Sequence, residues 1–374
     1  MELALPIIIL LILVFSEAFI LRFLKKQNVN WKDIIFNLNS GHIVLWLFRG
    51  LEVICFNYLY THFSLDLFSS FPIIVTWIFA IFAWDLGFYW LHRLHHKIPL
   101  FWAIHVVHHQ GEHFNLSLAM RNSWYSSLSS IPFFALLAII GVPTYIFVAV
   151  SILHYSVQFF NHNALTPKLG IIEKFIVTPA HHRLHHIKDK YYSNHNFGGT
   201  FIFWDKLFGS FESNYPEEKH IYGSYNKSSE NPFHANNIPF LRFFNLKPKP
   251  ISQAKSFDIS NFYFALGGFL LFTLTICYIY TYGYGYENVN YQQYSLFAYL
   301  VLGTIALGGI AEGKLWGIYS WFILSILLPI LFLHIWDWQN YYWQIVMYLL
   351  FIHGALALFA INRNNDEISK QLIN

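Results

Sequence analysis

Residues 92–113 read "HRLHHKIPLFWAIHVVHHQGEH" and hold seven histidines within 22 positions. The motifs HRLHH and HVVHH space their histidines three or four positions apart, so that each motif places its imidazole rings on one face of a helix. The same spacing returns in "HHRLHH" at residues 181–186. Because a buried imidazole costs free energy unless it is bonded, repeated clusters among apolar residues predict a shared chemical task.

The composition around these motifs is that of a membrane protein. Of the 374 residues, 56% are hydrophobic and 11% are charged, and that charged share is less than half of the share in soluble domains. Aromatic residues make up 20%, which suits the belts at membrane–water interfaces. The net charge of +3 is too small to indicate a nucleic acid partner, and none is expected. The sequence predicts an all-α, polytopic membrane protein.

Apolar windows of about twenty residues predict about nine transmembrane helices. The "GVP" at residues 141–143 is a turn signal between two short spans, so this pair is expected either to cross twice or to form a re-entrant hairpin. The spans are expected near Leu3–Leu24, Ile43–Phe63, Pro72–Leu91, Ser127–Ile140, Val142–Phe160, Phe262–Tyr282, Tyr294–Ile310, Leu315–Trp336 and Trp343–Ile361.

The basic residues predict the orientation of these spans. Several follow the first span between residues 22 and 32, which places that end of the span in the cytoplasm. With alternating spans, every Lys and Arg except Arg49 falls in a cytoplasmic segment. Arg49 lies within the second span, three residues from Glu52, and is expected to pair with it. The histidine motifs are therefore predicted on the cytoplasmic face of a bacterial inner membrane or of the endoplasmic reticulum.

The sequence divides into two predicted modules near residue 260. Residues 1–260 carry the histidine motifs, which lie within residues 84–212. The aromatic segment 196–211 is expected to rest on the cytoplasmic surface, as part of a histidine-rich cap that holds metal. Residues 261–374 hold four spans without clustered histidines and are predicted to form a separate four-helix transmembrane module.

The number of histidines indicates a site for two metal ions. The clusters supply nine or ten imidazoles on one face, whereas one zinc or iron ion takes four to six ligands. The two cysteines, Cys55 and Cys277, lie in apolar spans, so disulfides and cysteine ligands are not expected. An almost all-histidine site favours iron and dioxygen chemistry over a zinc hydrolase site with three protein ligands. A non-enzymatic metal-handling or transport protein is the alternative.

The order and spacing of the motifs resemble those of the fatty acid hydroxylase and sterol desaturase superfamily. The matching stretches are HRLHH, HVVHH, QFFNH and HHRLHH, and the resemblance is close from about Trp84 to Glu212. It implies a membrane oxygenase with two iron ions. The ligands that it implies are His92, His96, His105, His108, His109, His162, His182, His185 and His186, with His181 as a reserve candidate.

Further residues are expected to support such a site. Histidine ligands need partners on their second ring nitrogen. His95 and His113 occupy positions that the motifs do not require and are expected to have structural or supporting roles, and His195 is expected at the surface. The polar residues best placed as partners are Asp85, Glu112, Asn115, Asn161 and Asp205. The candidate walls of a substrate cavity are Tyr89, Trp90, Trp102 and Trp124.

Within the superfamily, "HVVHHQGEHFNLSLAMRNS" at residues 105–123 most resembles the members that cleave alkylglycerol ether lipids. The resemblance implies a monooxygenase that uses O2 to hydroxylate the carbon beside the ether oxygen, which releases a fatty aldehyde and a glycerol derivative. A fatty acid, sterol or carotenoid hydroxylase or desaturase with the same metal site is the alternative. Lys97 stands where those members lead us to expect an acid. The electron source is therefore left open between a tetrahydropterin and an electron-donor protein.

Overall fold

The structure, a computed structural model, is mostly helical, as the sequence predicts. It describes residues 4–216, 221–225, 229–248, 255–286 and 289–363. The helices are α1 (Ala4–Phe19), α2 (Trp31–Asn39), α3 (His42–Phe63), α4 (Ile73–Lys97), α5 (Pro99–His109), α6 (Ser126–Ile140), α7 (Thr144–Asn161), α8 (Pro179–His185), α9 (Phe203–Leu207), α10 (Pro232–Phe243), α11 (Asn261–Tyr282), α12 (Tyr291–Ala311), α13 (Leu315–Ile330) and α14 (Tyr341–Ala355).

Short turns and one strand pair complete the described chain. α1 continues into the π-helical turn Ile20–Leu24, and α13 continues into the π-helical turn Leu331–Ile335. Strand β1 (Phe257–Ile259) pairs antiparallel with β2 (Ile361–Arg363). The 3-10 turns are Leu116–Met120, Gly170–Lys174 and Tyr192–Asn194.

The chain forms two compact units. The first, called the histidine unit here, comprises Leu13–Asn28 and Leu45–Lys227. The second, called the C-terminal unit, comprises Met1–Ile12, Val29–Val44 and Ser228–Asn374. The module boundary near residue 260 stays a prediction.

The core of the histidine unit lies between α3, α4, α6 and α7. Trp84 of α4 stacks on Phe134 of α6, with ring centroids 4.4 Å apart. Phe56 of α3 stacks on Phe147 of α7 at 4.0 Å. All four rings are at least 98% buried, and burying large aromatic side chains of this kind contributes about 1.5–3 kcal/mol each. This aromatic core fixes α4, the helix that carries the first histidine motif.

The C-terminal unit is a bundle in which α11 to α14 pack on one another and α11 packs on α2. A Cβ on Gly317 of α13 would lie 2.5 Å from the backbone of Gly309 in α12, so both positions require glycine for this close approach. Asn39 of α2 donates a hydrogen bond to the carbonyl of Gly268 in α11 at 3.1 Å. The bundle matches the four apolar segments expected after residue 260.

Six of the described helical segments are long and apolar enough to cross a membrane. The predicted nine spans are thus found in part, because α6, α7 and α14 are not among the six. α6 and α14 have 15 residues each, or about 22 Å, against a hydrocarbon core of about 30 Å. The six are Ala4–Leu24, Trp31–Phe63, Ile73–Lys97, Asn261–Tyr282, Tyr291–Ala311 and Leu315–Ile335.

The predicted turn between α6 and α7 has the expected geometry. Gly141 ends α6 with φ at +114°, a conformation that favours glycine, and its amide bonds back to α6. A Cβ here would also lie 3.0 Å from Asp66. The pair is therefore a tight helical hairpin, and whether it crosses the membrane stays a prediction.

Candidate metal centre

The structure brings the nine predicted histidines together as two groups within the histidine unit. In each group, one ring nitrogen from every member lies within 4.8 Å of those of the others. The first group is His92, His96, His105, His109 and His185. The second group is His108, His162, His182 and His186.

The helical spacing of the motifs explains this division. α4 contributes His92 and His96, four residues apart and hence on one face, to the first group. On α5 and at the end of α8, adjacent histidines point about 100° apart, so each element serves both groups. His109 belongs to the first group and its neighbour His108 to the second. α5 therefore runs between the two groups and fixes their separation.

Backbone carbonyls set the tautomers of four of these rings. A carbonyl oxygen only accepts, so an Nδ1 within hydrogen-bond distance of it carries the proton and the Nε2 keeps a free lone pair. Two of these rings belong to each group. The pairs are His92 with Phe197 (2.9 Å), His185 with His195 (2.7 Å), His108 with Arg121 (3.0 Å) and His162 with Gln158 (2.8 Å).

In the first group, all five Nε2 atoms are buried and have no hydrogen-bond partner among the described residues. An unsatisfied buried polar atom costs about 1–3 kcal/mol, and five in one place are not stable by themselves. A cation bound to their lone pairs would remove this cost. The first group therefore fits a metal ion.

In the second group, the Nε2 atoms lie against one another. His162 Nε2 is 3.1 Å from that of His108 and 3.0 Å from that of His182, which lies 3.1 Å from the Nε2 of His186. Since the carbonyls leave His108 and His162 with lone pairs at Nε2, these two atoms repel unless a cation lies between them. Nitrogens at right angles around an ion at about 2.1 Å are about 3.0 Å apart. The second group also fits a metal ion.

Burial keeps the imidazoles of α5 and α8 neutral. Desolvation lowers the pKa of His108 to about 4 and the pKa of His185 to about 3. For the other rings of these elements, burial and the neighbouring histidines hold the pKa well below its usual value: His105, His109, His182 and His186. Neutral imidazole is the form that binds a metal, so these rings need not lose a proton to do so.

Asp205, one of the predicted supporting residues, is linked to the first group by hydrogen bonds through the backbone of Phe197. It is fully buried, and its carboxylate accepts the amides of Phe197 at 2.7 Å and Gly198 at 2.8 Å. The carbonyl of Phe197 is the one that holds His92. Burial raises the pKa of Asp205 to about 6. Asp205 thus fixes the loop that orients a ring of the first group.

Asp85 and Asn161 hold the same loop from other helices. Asp85 accepts the amides of Thr200 at 2.8 Å and Phe201 at 3.1 Å. Asn161 donates to the carbonyl of Gly199 at 3.2 Å. A Cβ at Gly199 would lie 2.0 Å from the ring of His154, so this position accepts only glycine. Both predicted residues lie near the site and contact the loop rather than a ring of either group.

The other predicted polar residues lie farther from the rings. Asn115 caps the turn Leu116–Met120 by accepting the amide of Ser117 at 3.0 Å, and Glu112 is exposed. His95 bonds through Nε2 to the hydroxyl of Ser129 at 3.0 Å and lies outside both groups.

The remaining predicted histidines also lie outside the two groups. His181, the reserve candidate, accepts the amide of Thr178 at 3.3 Å as part of the cap of α8. His113 is exposed and His195 is half-buried.

The predicted aromatic residues have different surroundings. Trp102 lies against the rings of His96 and His109, with centroids 5.1 and 5.6 Å away. Tyr89 is buried, and its hydroxyl bonds to Ser210 at 2.8 Å, so its contacts serve the fold. Trp124 is buried and Trp90 is 37% exposed. Trp102 is therefore in contact with the first group.

Sequence reasoning did not connect Glu17, an acidic residue within the first span, with the histidine site. Its side chain is 3% exposed and accepts the amides of Leu116 at 2.6 Å and Ala164 at 2.7 Å. Ala164 lies two residues after His162, and Leu116 starts the turn that ends beside Arg121. An acidic residue within an apolar span is the signal that could have identified it.

The carbonyl partners of the rings were also missed. The backbone oxygens of Arg121, Gln158, His195 and Phe197 leave no mark in the sequence, because every residue has a carbonyl. The buried side chain of Arg121 is the exception, since it also donates to the carbonyl of Val107 at 2.9 Å. An arginine in an apolar segment can be recognised in the sequence.

Comparison with known proteins agrees with this geometry. Residues 77–210 match the model of the fatty acid hydroxylase family. That region contains all nine histidines of the two groups. Over these residues, about a third of its length, the chain is therefore similar to the fatty acid hydroxylase family. The predicted resemblance is confirmed, and with its apolar helices the chain is an integral membrane protein.

The chain is also similar to proteins named for alkylglycerol or sterol chemistry. The chain is 34% identical over 212 residues to alkylglycerol monooxygenase of Danio rerio, which is 54% of this chain and 46% of the relative. It is 35% identical over 177 residues to alkylglycerol monooxygenase of Homo sapiens, with 47% of this chain and 39% of the relative covered. A delta(7)-sterol 5(6)-desaturase of Gibberella zeae is 28% identical over 154 residues, with shares of 38% and 43%.

The match to these relatives is partial. It spans less than half the length of each of the three. No solved structure matches the chain significantly.

Proposed function

We propose that this protein is a membrane monooxygenase that uses two iron ions, one in each histidine group, to hydroxylate a lipid with O2. The observation that carries the proposal is the pair of converging Nε2 sets. Five of these atoms have no hydrogen-bond partner among the described residues, and the other four lie about 3 Å from a neighbour. Bound iron would supply the activation of O2 and the oxidation of an unactivated C–H bond. All-nitrogen, neutral donor sets suit ferrous iron.

The residues of this chain have three tasks in that reaction. The carbonyls of Phe197, His195, Arg121 and Gln158 hold the rings in one tautomer and one orientation. The four buried rings of the second group exclude water there, which protects a reactive oxidant from side reactions. The neutral rings accept metal without releasing protons. Each task depends on the fold around the rings rather than on a group that donates or removes protons.

The substrate class that we favour is an alkylglycerol ether lipid, since several relatives carry the name alkylglycerol monooxygenase. O2, two electrons and two protons would convert the C–H bond beside the ether oxygen into C–OH and release water. The hemiacetal so formed breaks its C–O bond to give a fatty aldehyde and the free glycerol hydroxyl. The electrons come from a tetrahydropterin or from an electron-donor protein.

The proposal includes the placement of the site. Residues 1–260 form the metal module, and residues 261–374 form a separate membrane module. The histidine groups face the cytoplasm at the membrane surface, so that a lipid head group stays near the interface while its chain lies among the helices. Nine spans give this orientation, and the membrane is a bacterial inner membrane or the endoplasmic reticulum.

The test combines metal analysis with a lipid panel. Protein purified in detergent from iron-supplied cells should contain about two irons per chain with a coupled diiron Mössbauer spectrum. It should then release fatty aldehyde from an alkylglycerol when O2 and a tetrahydropterin, or an electron-donor protein with its reductase, are supplied. Two zinc ions per chain, or no oxidation of any lipid by iron-loaded protein, would overturn the proposal.

The panel should also include free fatty acids and sterols, because a sterol desaturase is among the relatives. Oxidation of a sterol or fatty acid in preference to the ether lipid would keep the metal site and replace the substrate. A metal-handling protein without enzymatic activity would release its ions reversibly and consume no O2 with any lipid.

A further inference from the structure

A cleft of about 280 Å³ opens beside the first histidine group. Its lining includes His96 and His109, two members of that group, together with Trp102. It also includes three lysines, Lys97, Lys188 and Lys190, and one acid. That acid, Asp189, already accepts the amide of Tyr191 at 2.7 Å. Among the described lining residues, the cleft thus has an excess of positive charge directly next to the candidate metal centre.

We propose that this cleft binds the anionic head group of the lipid substrate, a phosphate or carboxylate, so that the preferred substrate is an acidic ether lipid rather than a neutral alkylglycerol. This inference rests on the proposed lipid oxidation and narrows its substrate. Lysine side chains act as point charges for phosphate, and several around one cleft favour an anion.

The position of the cleft favours a lipid head group over a molecule from bulk water. Lys97 is the last residue of α4, one of the six helical segments able to cross a membrane. The end of a span lies at the depth of lipid head groups. Trp102 follows on α5, and tryptophan is the residue enriched at that depth.

The size of the cleft limits what it can hold. Pockets that enclose whole drug-sized ligands measure about 300–1,000 Å³. At 280 Å³, this cleft is too small for a head group together with a long alkyl chain. It therefore suits the head group alone, with the chain left among apolar residues.

The contact with His96 and His109 relates the cleft to the site of oxidation. A head group held there would lie against the first histidine group. The substrate carbon that reacts must then be only a few bonds from the head group. The carbon beside the ether oxygen of a glycerol lipid meets this condition, whereas a carbon in the middle of a fatty chain does not.

The wall that carries two of the lysines is built into the fold. Ile187 pairs with Tyr222 in an isolated antiparallel bridge, and the amide of Lys188 donates to the carbonyl of Ile221 at 2.8 Å. These bonds fasten residues 187–190 to residues 221–225, and both segments line the cleft. Lys188 and Lys190 therefore project from a backbone segment that hydrogen bonds hold in place.

The test is equilibrium binding to full-length, iron-loaded protein in nanodiscs of neutral lipid, without O2 or reductant so that no turnover occurs. The probes are radiolabelled 1-O-hexadecylglycerol and its 3-phosphate. The variant is Lys97→Gln/Lys188→Gln/Lys190→Gln, and the matched control is Lys174→Gln, which removes an exposed lysine of the same unit outside the cleft. Melting temperatures of all proteins establish that the variants fold.

We expect wild-type protein to bind the phosphate lipid more tightly than the neutral one. The triple variant should weaken binding of the phosphate lipid about tenfold and leave the neutral lipid and the control unchanged. Equal affinity of wild-type protein for both lipids would overturn the proposal, as would an equal loss for both in the triple variant.

Two further arms identify the occupant. Inorganic phosphate should compete only weakly, because it lacks the chain; competition as strong as that of the phosphate lipid would assign the cleft to free phosphate. A triple variant with unchanged lipid binding but weaker use of an acidic electron-donor protein would assign the cleft to that partner. Either result overturns the head-group proposal.

Failure of the lipid-oxidation proposal looks different. Lysine-dependent binding of the phosphate lipid by a protein that, once iron-loaded, oxidises no lipid would contradict the enzyme and leave the head-group site in place. Turnover of neutral alkylglycerol, without any preference for the phosphate lipid, would support the enzyme and contradict the head-group site.

Discussion

The two histidine groups differ in access and in packing. The first has five rings, two of them only half-buried, and the cleft reaches two of its members. The second has four fully buried rings whose Nε2 atoms already lie 3.0–3.1 Å apart. The first group is therefore the one that an outside molecule can approach, and the second is closed. Two metal positions of similar chemistry would thus differ in what reaches them.

The largest effects should come from removing a ring from each group. His108→Ala leaves three nitrogens in the closed second group, and His185→Ala leaves four in the first. We expect both variants to lose activity, with metal content falling from about two ions per chain to about one, because the remaining donors bind too weakly. Metal analysis of the purified proteins, alongside aldehyde release, measures this.

His234→Ala is the control for the ligand variants. His234 lies on α10 of the C-terminal unit, 4.0 Å from Glu312, and its side chain is 39% exposed. It should retain metal and turnover. A His108→Ala or His185→Ala protein with two ions and full activity would show that the assigned ring is not a ligand.

A smaller and one-sided effect is expected from Asp205→Asn. In the wild-type protein, the two carboxylate oxygens accept the backbone amides of Phe197 and Gly198. The asparagine side chain keeps one oxygen that accepts one of these amides, and its NH2 group faces the other. The loop should loosen and misalign His92. We expect metal affinity to fall about 10–100-fold in the first group and to stay unchanged in the second. Metal titration should therefore resolve one weakened and one intact site.

The matched control for this variant is Asp66→Asn, an exposed aspartate of the same unit that lies outside the cleft. Its carboxylate accepts the nearby hydroxyl of Ser64 at 2.7 Å. Metal affinity should not change there. Equal weakening of both sites by Asp205→Asn would mean a general loss of structure instead of a local one.

Glu17→Gln should give the opposite asymmetry. Its carboxylate accepts the amides of Leu116 and Ala164. The turn at Leu116 leads to Arg121, whose carbonyl bonds His108, and Ala164 lies two residues after His162 of the second group. Gln loses one of the two bonds, which costs about 1–3 kcal/mol in a buried setting. We expect a lower melting temperature and weaker metal binding in the second group first. Weakening of the first group alone would contradict this relay.

A feature of this molecule can be predicted from the sequence when local sequence patterns determine it, and cannot when its surroundings do. Helical periodicity placed the histidines of each motif on one helix face, and this holds for His92 with His96 and for His105 with His109. His108 points to the second group and His95 lies outside both groups, because adjacent residues of a helix point about 100° apart. Composition predicted membrane helices, but whether 15-residue segments such as α6 and α14 cross depends on the bilayer and their neighbours. The sequence therefore predicts the presence of membrane helices better than it predicts how many of them cross the membrane.

The site follows the same rule. Ring positions depend on local spacing, which a sequence contains. The carbonyl of Phe197 that orients His92 lies 105 residues away in the sequence, and the two bonds of Glu17 span 99 and 147 residues. These contacts depend on tertiary packing, and no local pattern encodes them. Asp85, Asn161 and Asp205 were identified as polar residues close to the site, and their contact with one shared loop became visible only in the structure.

The smallest effect, and the sharpest test of the boundary of the two groups, comes from His181. It directly precedes His182 of the second group, yet its Nδ1 accepts the amide of Thr178 in the cap of α8. His181→Ala should cost about 1 kcal/mol, as the loss of a helix cap does, and lower the melting temperature by a few degrees. Metal content should stay equal to that of wild-type protein, whereas His182→Ala should lose an ion. If His181→Ala also lost an ion, the second group would have five ligands, and the difference between a five-ring open group and a four-ring closed group would disappear.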